Sequence, residues 1–286
     1  MGTLIGHVGP GIGFTIIGLW HLYNNIKLHA RNPKSFKSSP WFPAPGIRYL
    51  ELYLIIAGTL ASISMELFIG PDRHQPLDDD GTIPSNHLHN FEHSNISLAF
   101  LAYALLSVLL DRLSPPAKFE LTHLLGAAAL GQMLLLFHLH SADHMGVEGQ
   151  YHWLLQIAIF VSLATALLGI RSPESFAVSF VRSASILFQG IWLAAMGIML
   201  WTPRFIPKGC FMNLEEGHRV VRCRGDGALE RAKSLVNIEF SWYVLGVVVF
   251  STAFYLLLAR KTEYRFLPEL QTAEDDDDDD VEAQKK

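Results

Sequence analysis

The chain has 286 residues, of which 50% are hydrophobic and 17% charged, and its formal net charge is -5. Soluble domains carry about 25% charged residues, and here the deficit falls in blocks of long apolar sequence, which excludes an ordinary soluble domain. No basic patch interleaved with aromatics occurs, which excludes a nucleic-acid partner.

A helix rises about 1.5 Å per residue, so crossing a hydrocarbon core of about 30 Å takes roughly 20 apolar residues. Seven runs approach that length: 9–26, 47–69, 91–110, 119–139, 151–170, 181–201 and 236–259. In lipid each run must satisfy its own backbone groups, so helix is the expected state. The runs are continuous rather than alternating, and no strand signal is read. The predicted fold is all-α: a polytopic membrane protein with a bundle of seven transmembrane helices over 1–262. A disordered acidic cytoplasmic tail, rich in Asp275 to Asp280, follows over 263–286.

The first span follows a start with no basic segment and no cleavage site, so it is expected to be retained. It carries Gly9, Gly11, Gly13 and Gly18, which would let a neighbouring helix approach closely. Its inner end bears a polar patch, His21, Asn24 and Asn25, where the asparagines are expected to end the helix. Pro33, Pro40, Pro43 and Pro45 mark the loop that follows. Glu51, one turn into the second span, is expected to pair with Arg48. The third span is the least apolar, with His93, Ser94, Asn95 and Ser97 in its first two turns. Further on, Gln132 and Gln189 are expected to bond neighbouring helices, and Arg182 to snorkel to the inner headgroups. Trp20, Trp41, Trp192, Trp201 and Trp242 are expected to form an aromatic belt.

Short loops on the C-terminal side hold more Lys and Arg, which predicts an exoplasmic N-terminus and a cytoplasmic C-terminus. The loop between spans six and seven opposes this, because Arg204 to Lys233 is basic. That loop also holds the only two cysteines, Cys210 and Cys223. An exoplasmic loop would let them form a disulfide; two free thiols are the alternative.

Thirteen histidines are placed unevenly. His87, His89 and His93 enter span three, His138, His140 and His144 leave span four, and His152 enters span five. All three points share the predicted exoplasmic face with His7, Glu66, His74, Asp143, Glu148 and Glu239. His89 and His93 share a helix face at four-residue spacing. Zinc takes three or four ligands from His, Cys, Asp or Glu, so His93, His138 or His140, His152 and a carboxylate form a sensible set. His89, His144, Glu66 and Glu239 complete the candidate ligands. The bland readings are interfacial histidines and a proton relay.

Several motifs resemble a known family. These are Gly6–His7 with Pro10–Gly11, then Phe14 and Ile17–Gly18–Leu19–Trp20, and the stretch from Arg182 to Trp192. His93, the His138–His140 pair and His152–Trp153–Leu154–Leu155 add to them. Together they are similar to the transmembrane protein 45 family, also catalogued as domain of unknown function 716. The segment Ser141 to Tyr151 looks like that family's plant branch. The resemblance implies a seven-helix protein of endomembranes or the plasma membrane, and no agreed reaction. It reinforces His93, His138, His140 and His152.

Three functional readings follow. The first is a zinc-holding protein acting as a metal-dependent enzyme on lipid, near the exoplasmic ends of spans two to five and seven. The second is a proton-coupled carrier of a small-molecule ligand, using Glu66, Glu239 and the histidines. The third is a non-catalytic membrane scaffold or trafficking factor. The lipid bilayer is the one partner common to all three, and none of them sets an oligomeric state.

Overall fold

The computed structural model describes residues 4–70, 74–139, 145–215 and 218–283, with side chains as far as Arg260 except that of His218. Seven helices carry most of it: α1 Leu4–Arg31, α2 Leu50–Ser64, α3 Leu88–Leu113, α4 Lys118–His138, α5 Gly146–Arg171, α6 Phe176–Trp201 and α7 Asp226–Ala283. A π-helical turn, Met65–Ile69, prolongs α2. The expected acidic tail over 263–286 has its side chains outside the described residues.

Among the described residues six helices, α2 to α7, are long and apolar enough to cross a membrane. The protein is thus multi-pass, but apolarity does not establish the expected seventh span. Glycines, His7, His21, Asn24 and Asn25 dilute the apolar character of α1. The same glycines fix where α1 sits. It packs along α6, with Gly11 against Gly190, Gly18 against the Leu187 backbone and Gly197 against His7. A Cβ on Gly18 would lie 2.3 Å from the Leu187 amide nitrogen, and one on Gly190 2.2 Å from that of Thr15. The two backbones touch because neither side presents a side chain there.

The remaining order follows the chain. Helix α2 packs on α3, α3 on α4, α4 on α5 and α5 on α6, while α7 lies against α1, α5 and α6. Helix α6 is the most enclosed, and α2 and α7 turn Leu54, Leu60, Trp242, Val249 and Leu257 outward. Exposed leucines and valines on a helix suit a hydrocarbon solvent. The core centres on Trp192, which is fully buried against Phe188 and Phe240 and donates to the Tyr151 carbonyl. The aromatic-belt expectation is therefore wrong for Trp192, and also for Trp41, which is buried; Trp242 alone of the group is widely exposed, at 71%.

The fold is mostly helical as expected, but the absence of any strand needs correction. Strands β1 Cys210–Glu215 and β2 His218–Cys223 pair antiparallel between α6 and α7. Six-residue strands alternate too briefly to stand out beside apolar runs of twenty. Cys210 faces Cys223 directly in the register, and a disulfide joins them. The hairpin rests on the start of α5 and on α7, with Val221 buried in the main core.

Candidate functional site

Polar groups collect inside the bundle at both ends. One end gathers the C-terminal part of α1, the start of α2 and α6, and the loop between α1 and α2. His21 on α1 meets Glu51 on α2, Nε2 to Oε1, at 2.7 Å. The other Glu51 oxygen accepts the Phe42 amide at 2.8 Å. This corrects the expected Glu51–Arg48 pair. The chain enters α2 with Arg48 turned outward, where it pairs with Asp111 at 2.9 Å while Tyr49 and Lys118 also reach Asp111.

Arg182 is also not a snorkelling side chain, being only 4% exposed. Its Nη1 donates to His123 Nε2 at 3.1 Å, and its Nη2 to Ser38 Oγ at 2.8 Å and the Ser39 carbonyl at 3.3 Å. Asn25 bridges the same group, accepting from Ser38 and donating to Ser183. The asparagine patch does not end α1, because α1 runs on to Arg31 and Asn25 is fully buried within it. The sequence signal for this cluster was an Arg and a His inside apolar runs, where charge is costly.

The other end holds the histidines, but in separate contacts. On α2 and α3, Glu66 accepts from Asn90 at 2.8 Å and pairs with His93 Nδ1 at 3.3 Å. The His89 and His93 rings lie 6.3 Å apart. On α4 and α5, Gln156 donates its amide to the Phe137 carbonyl, so its oxygen faces His138 Nδ1 at 3.1 Å. His152 Nδ1 lies 3.1 Å from the Glu148 carbonyl, and its ring packs beside His7 and Phe137. His7 in turn stacks on Trp201 at 4.6 Å. Glu239 stands apart from these, accepting from Tyr151 at 2.7 Å.

Three of these histidines share one feature. The Nδ1 of His93, His138 and His152 faces a carboxylate or carbonyl oxygen, which can only accept. Each of these Nδ1 atoms therefore carries a proton. Metal-binding histidines use this tautomer, with an oxygen acceptor behind the ring. Among the described residues, however, no three His, Cys, Asp or Glu side chains are close enough to hold one ion. His140, Asp143 and His144 lie outside the described residues, so the expected set is assembled only in part.

Between the two ends lies a polar step and then an apolar layer. Ser185 donates to the Arg182 carbonyl and meets Ser162 at 2.7 Å, and Gln189 donates to Ser162. Gln189 thus bonds α6 to α5 as expected, and Gln132 bonds α4 to α3 through the Asn95 carbonyl. From Ser162 to Gln156 the α5 axis rises about 9 Å. Leu155, Ile159, Trp192 and Met196, all buried in one core, occupy this level.

Residues 119–256 match the model of a family described as a family of unknown function, DUF716. The chain is 24% identical over 215 residues to the transmembrane epididymal protein 1A of Mus musculus, covering 71% of this chain and 68% of that protein. It is 26% identical over 214 residues to the transmembrane epididymal protein 1 of Rattus norvegicus, with the same coverage. These matches bear out the resemblance read from the motifs. The chain is an integral, multi-pass membrane protein similar to this uncharacterised family.

Proposed function

We propose that this protein spans the bilayer seven times and holds a zinc ion near its exoplasmic end, acting there as a metal-dependent enzyme on lipid. The observation that carries the reading is the shared tautomer of His93, His138 and His152. Three histidines from three successive helices each back Nδ1 onto an oxygen. Glu66, bonded to both Asn90 and His93, serves as the carboxylate that positions His93. No three of the described side chains share one ion, so His140 and His144 would have to join no more than two of them. A zinc ion held so would lower the pKa of a bound water to about 7 and polarise an ester or amide carbonyl. Glu148, 2% exposed and one turn before His152, is the nearest buried carboxylate on α5 for moving a proton.

The seventh span in this reading is α1, whose seam with α6 places it inside the bundle. The disulfide-bonded hairpin supports an exoplasmic α6–α7 loop, since disulfides persist in oxidising compartments. The C-terminus is then cytoplasmic. Metal analysis of protein purified without a histidine tag tests the proposal. About one zinc per chain, reduced by His93→Ala and by His152→Ala, is expected. Metal-free protein with unchanged folding would sink it.

A proton-coupled carrier is the second reading, favoured by one observation: buried ionisable groups at both ends, separated by an apolar layer. It predicts solute-driven acidification of proteoliposomes that is lost in Glu66→Gln. A flux no larger than that of empty vesicles would remove this reading.

A further inference from the structure

The cluster around Arg182 lies at the opposite end of the helices from the histidines, and neither reading above assigns it a ligand. Its central group is the Arg182 guanidinium. A guanidinium is always charged, and its planar fork matches the paired oxygens of a carboxylate or phosphate. Among the described residues, the hydrogen-bond partners of Arg182 are all neutral. His123 Nδ1 lies 3.2 Å from the Phe119 carbonyl, so it carries the proton and Nε2 is an uncharged acceptor. Ser38 offers a hydroxyl and Ser39 a carbonyl. The one carboxylate of the cluster among the described residues, Glu51, is bonded to His21 and the Phe42 amide and reaches Arg182 only through its charge, with no hydrogen bond to the fork. A buried cation is stabilised far better by an opposite charge than by neutral acceptors.

Two of the three partners belong to the α1–α2 loop. That loop is seated by Phe36, Trp41 and Phe42, all buried, and by a hydrogen bond from the Tyr103 hydroxyl to the Pro40 carbonyl. The Ser38 amide also donates to Pro173, in the turn between α5 and α6. In this loop the Ser38 and Ser39 oxygens stand where anion oxygens would bind the fork.

We infer that Arg182 binds the anionic group of a ligand, a phosphate or a carboxylate, and that residues 36–42 form the lid it displaces. The ligand competes with Ser38 for the Nη2 proton. Removing the competitor strengthens binding, whereas removing the guanidinium abolishes it. A purely structural lid would give no such opposite pair.

The test uses full-length protein in detergent with inorganic phosphate or succinate, and in nanodiscs of phosphatidylcholine with or without phosphatidylserine. The readouts are thermal stability and the tryptophan emission of the lid, isolated by a Trp41→Phe control. We expect saturable stabilisation with an emission change, lost in Arg182→Gln. Affinity should rise on the order of tenfold in Ser38→Ala, the effect of removing one charged hydrogen bond from the competing state. If Arg182→Gln does not fold, Arg182→Lys replaces it, with weakened binding expected because the fork is gone. Response only to phosphatidylserine assigns the anion to a lipid headgroup, and response to phosphate or succinate assigns it to a free solute. No saturable response to any of these probes overturns the proposal. So does binding unchanged in both Arg182→Gln and Ser38→Ala.

Discussion

Replacing Gly18 with alanine tests the seam that places α1 in the bundle. The new Cβ would lie 2.3 Å from the Leu187 nitrogen and 2.5 Å from its Cα, where ordinary contact begins near 3.4 Å. Both obstacles are backbone atoms, so no rotamer change relieves them. Helices α1 and α6 must part by about 1 Å along a seam of close contacts, and overpacking of this kind costs about 1–3 kcal/mol. Gly13→Ala is the control, because nothing lies within 4 Å of that position. There the better helix propensity of alanine should stabilise by up to about 1 kcal/mol. The two variants should thus differ by about 1–4 kcal/mol, or roughly 2–16 °C in unfolding temperature. Thermal unfolding in detergent, followed by loss of the monodisperse peak, measures the difference. Equal stability of the two variants would show that α1 does not pack on α6 at Gly18, and the seventh-span argument would fall with it.

Glu51→Ala should destabilise by about 1–3 kcal/mol, because it takes the acceptor from the buried His21 ring and from the Phe42 amide. Arg48→Ala should stay within about 0.5 kcal/mol, because its pair with Asp111 is at the surface. Thermal unfolding compares the two, and equal losses would restore a Glu51–Arg48 pair. Replacing Cys210 and Cys223 together with serine removes a short cross-link, for which about 3 kcal/mol of local stability is expected. Hydrogen exchange over 210–223 should quicken while the helices stay unchanged, and unaltered exchange would refute the link. The Arg222 guanidinium bonds both Glu215 oxygens and holds that carboxyl below its usual range. Its contribution to the hairpin is therefore complete above the ordinary glutamate pKa and lost as pH falls through the lowered one. Hydrogen exchange corrected for intrinsic rate should show the hairpin loosening in acid, and Glu215→Gln should flatten that dependence.

Hydrophobicity made the helices legible, since only continuous apolar sequence can cross hydrocarbon, and six of the expected runs are helices of sufficient length and apolarity. The helical state of the first run was also legible, although its role was not. Its glycines read as a close-packing face, but only the fold shows α6 as the partner. The pairing of Glu51 with Arg48 failed because three residues of sequence separation do not reveal which way a loop turns its side chains. His123 passed unnoticed and Arg182 was placed at the headgroups, because a one-dimensional reading cannot tell an inward helix face from an outward one.

The sequence alone determined that this is a multi-pass membrane protein, and it placed histidines at one end of several helices. Periodicity and alternation of spans suffice for that, because each crossing reverses the chain. Which groups touch was decided by tertiary structure. It split the histidines between the Glu66–Asn90–His93 contact and the His138–Gln156 and His7–His152 contacts. It also drew Asn25, Ser38, Glu51, His123 and Arg182, from five separate segments, into one buried network. Contacts between segments so far apart depend on helix rotation and loop path, which packing fixes and local sequence does not encode.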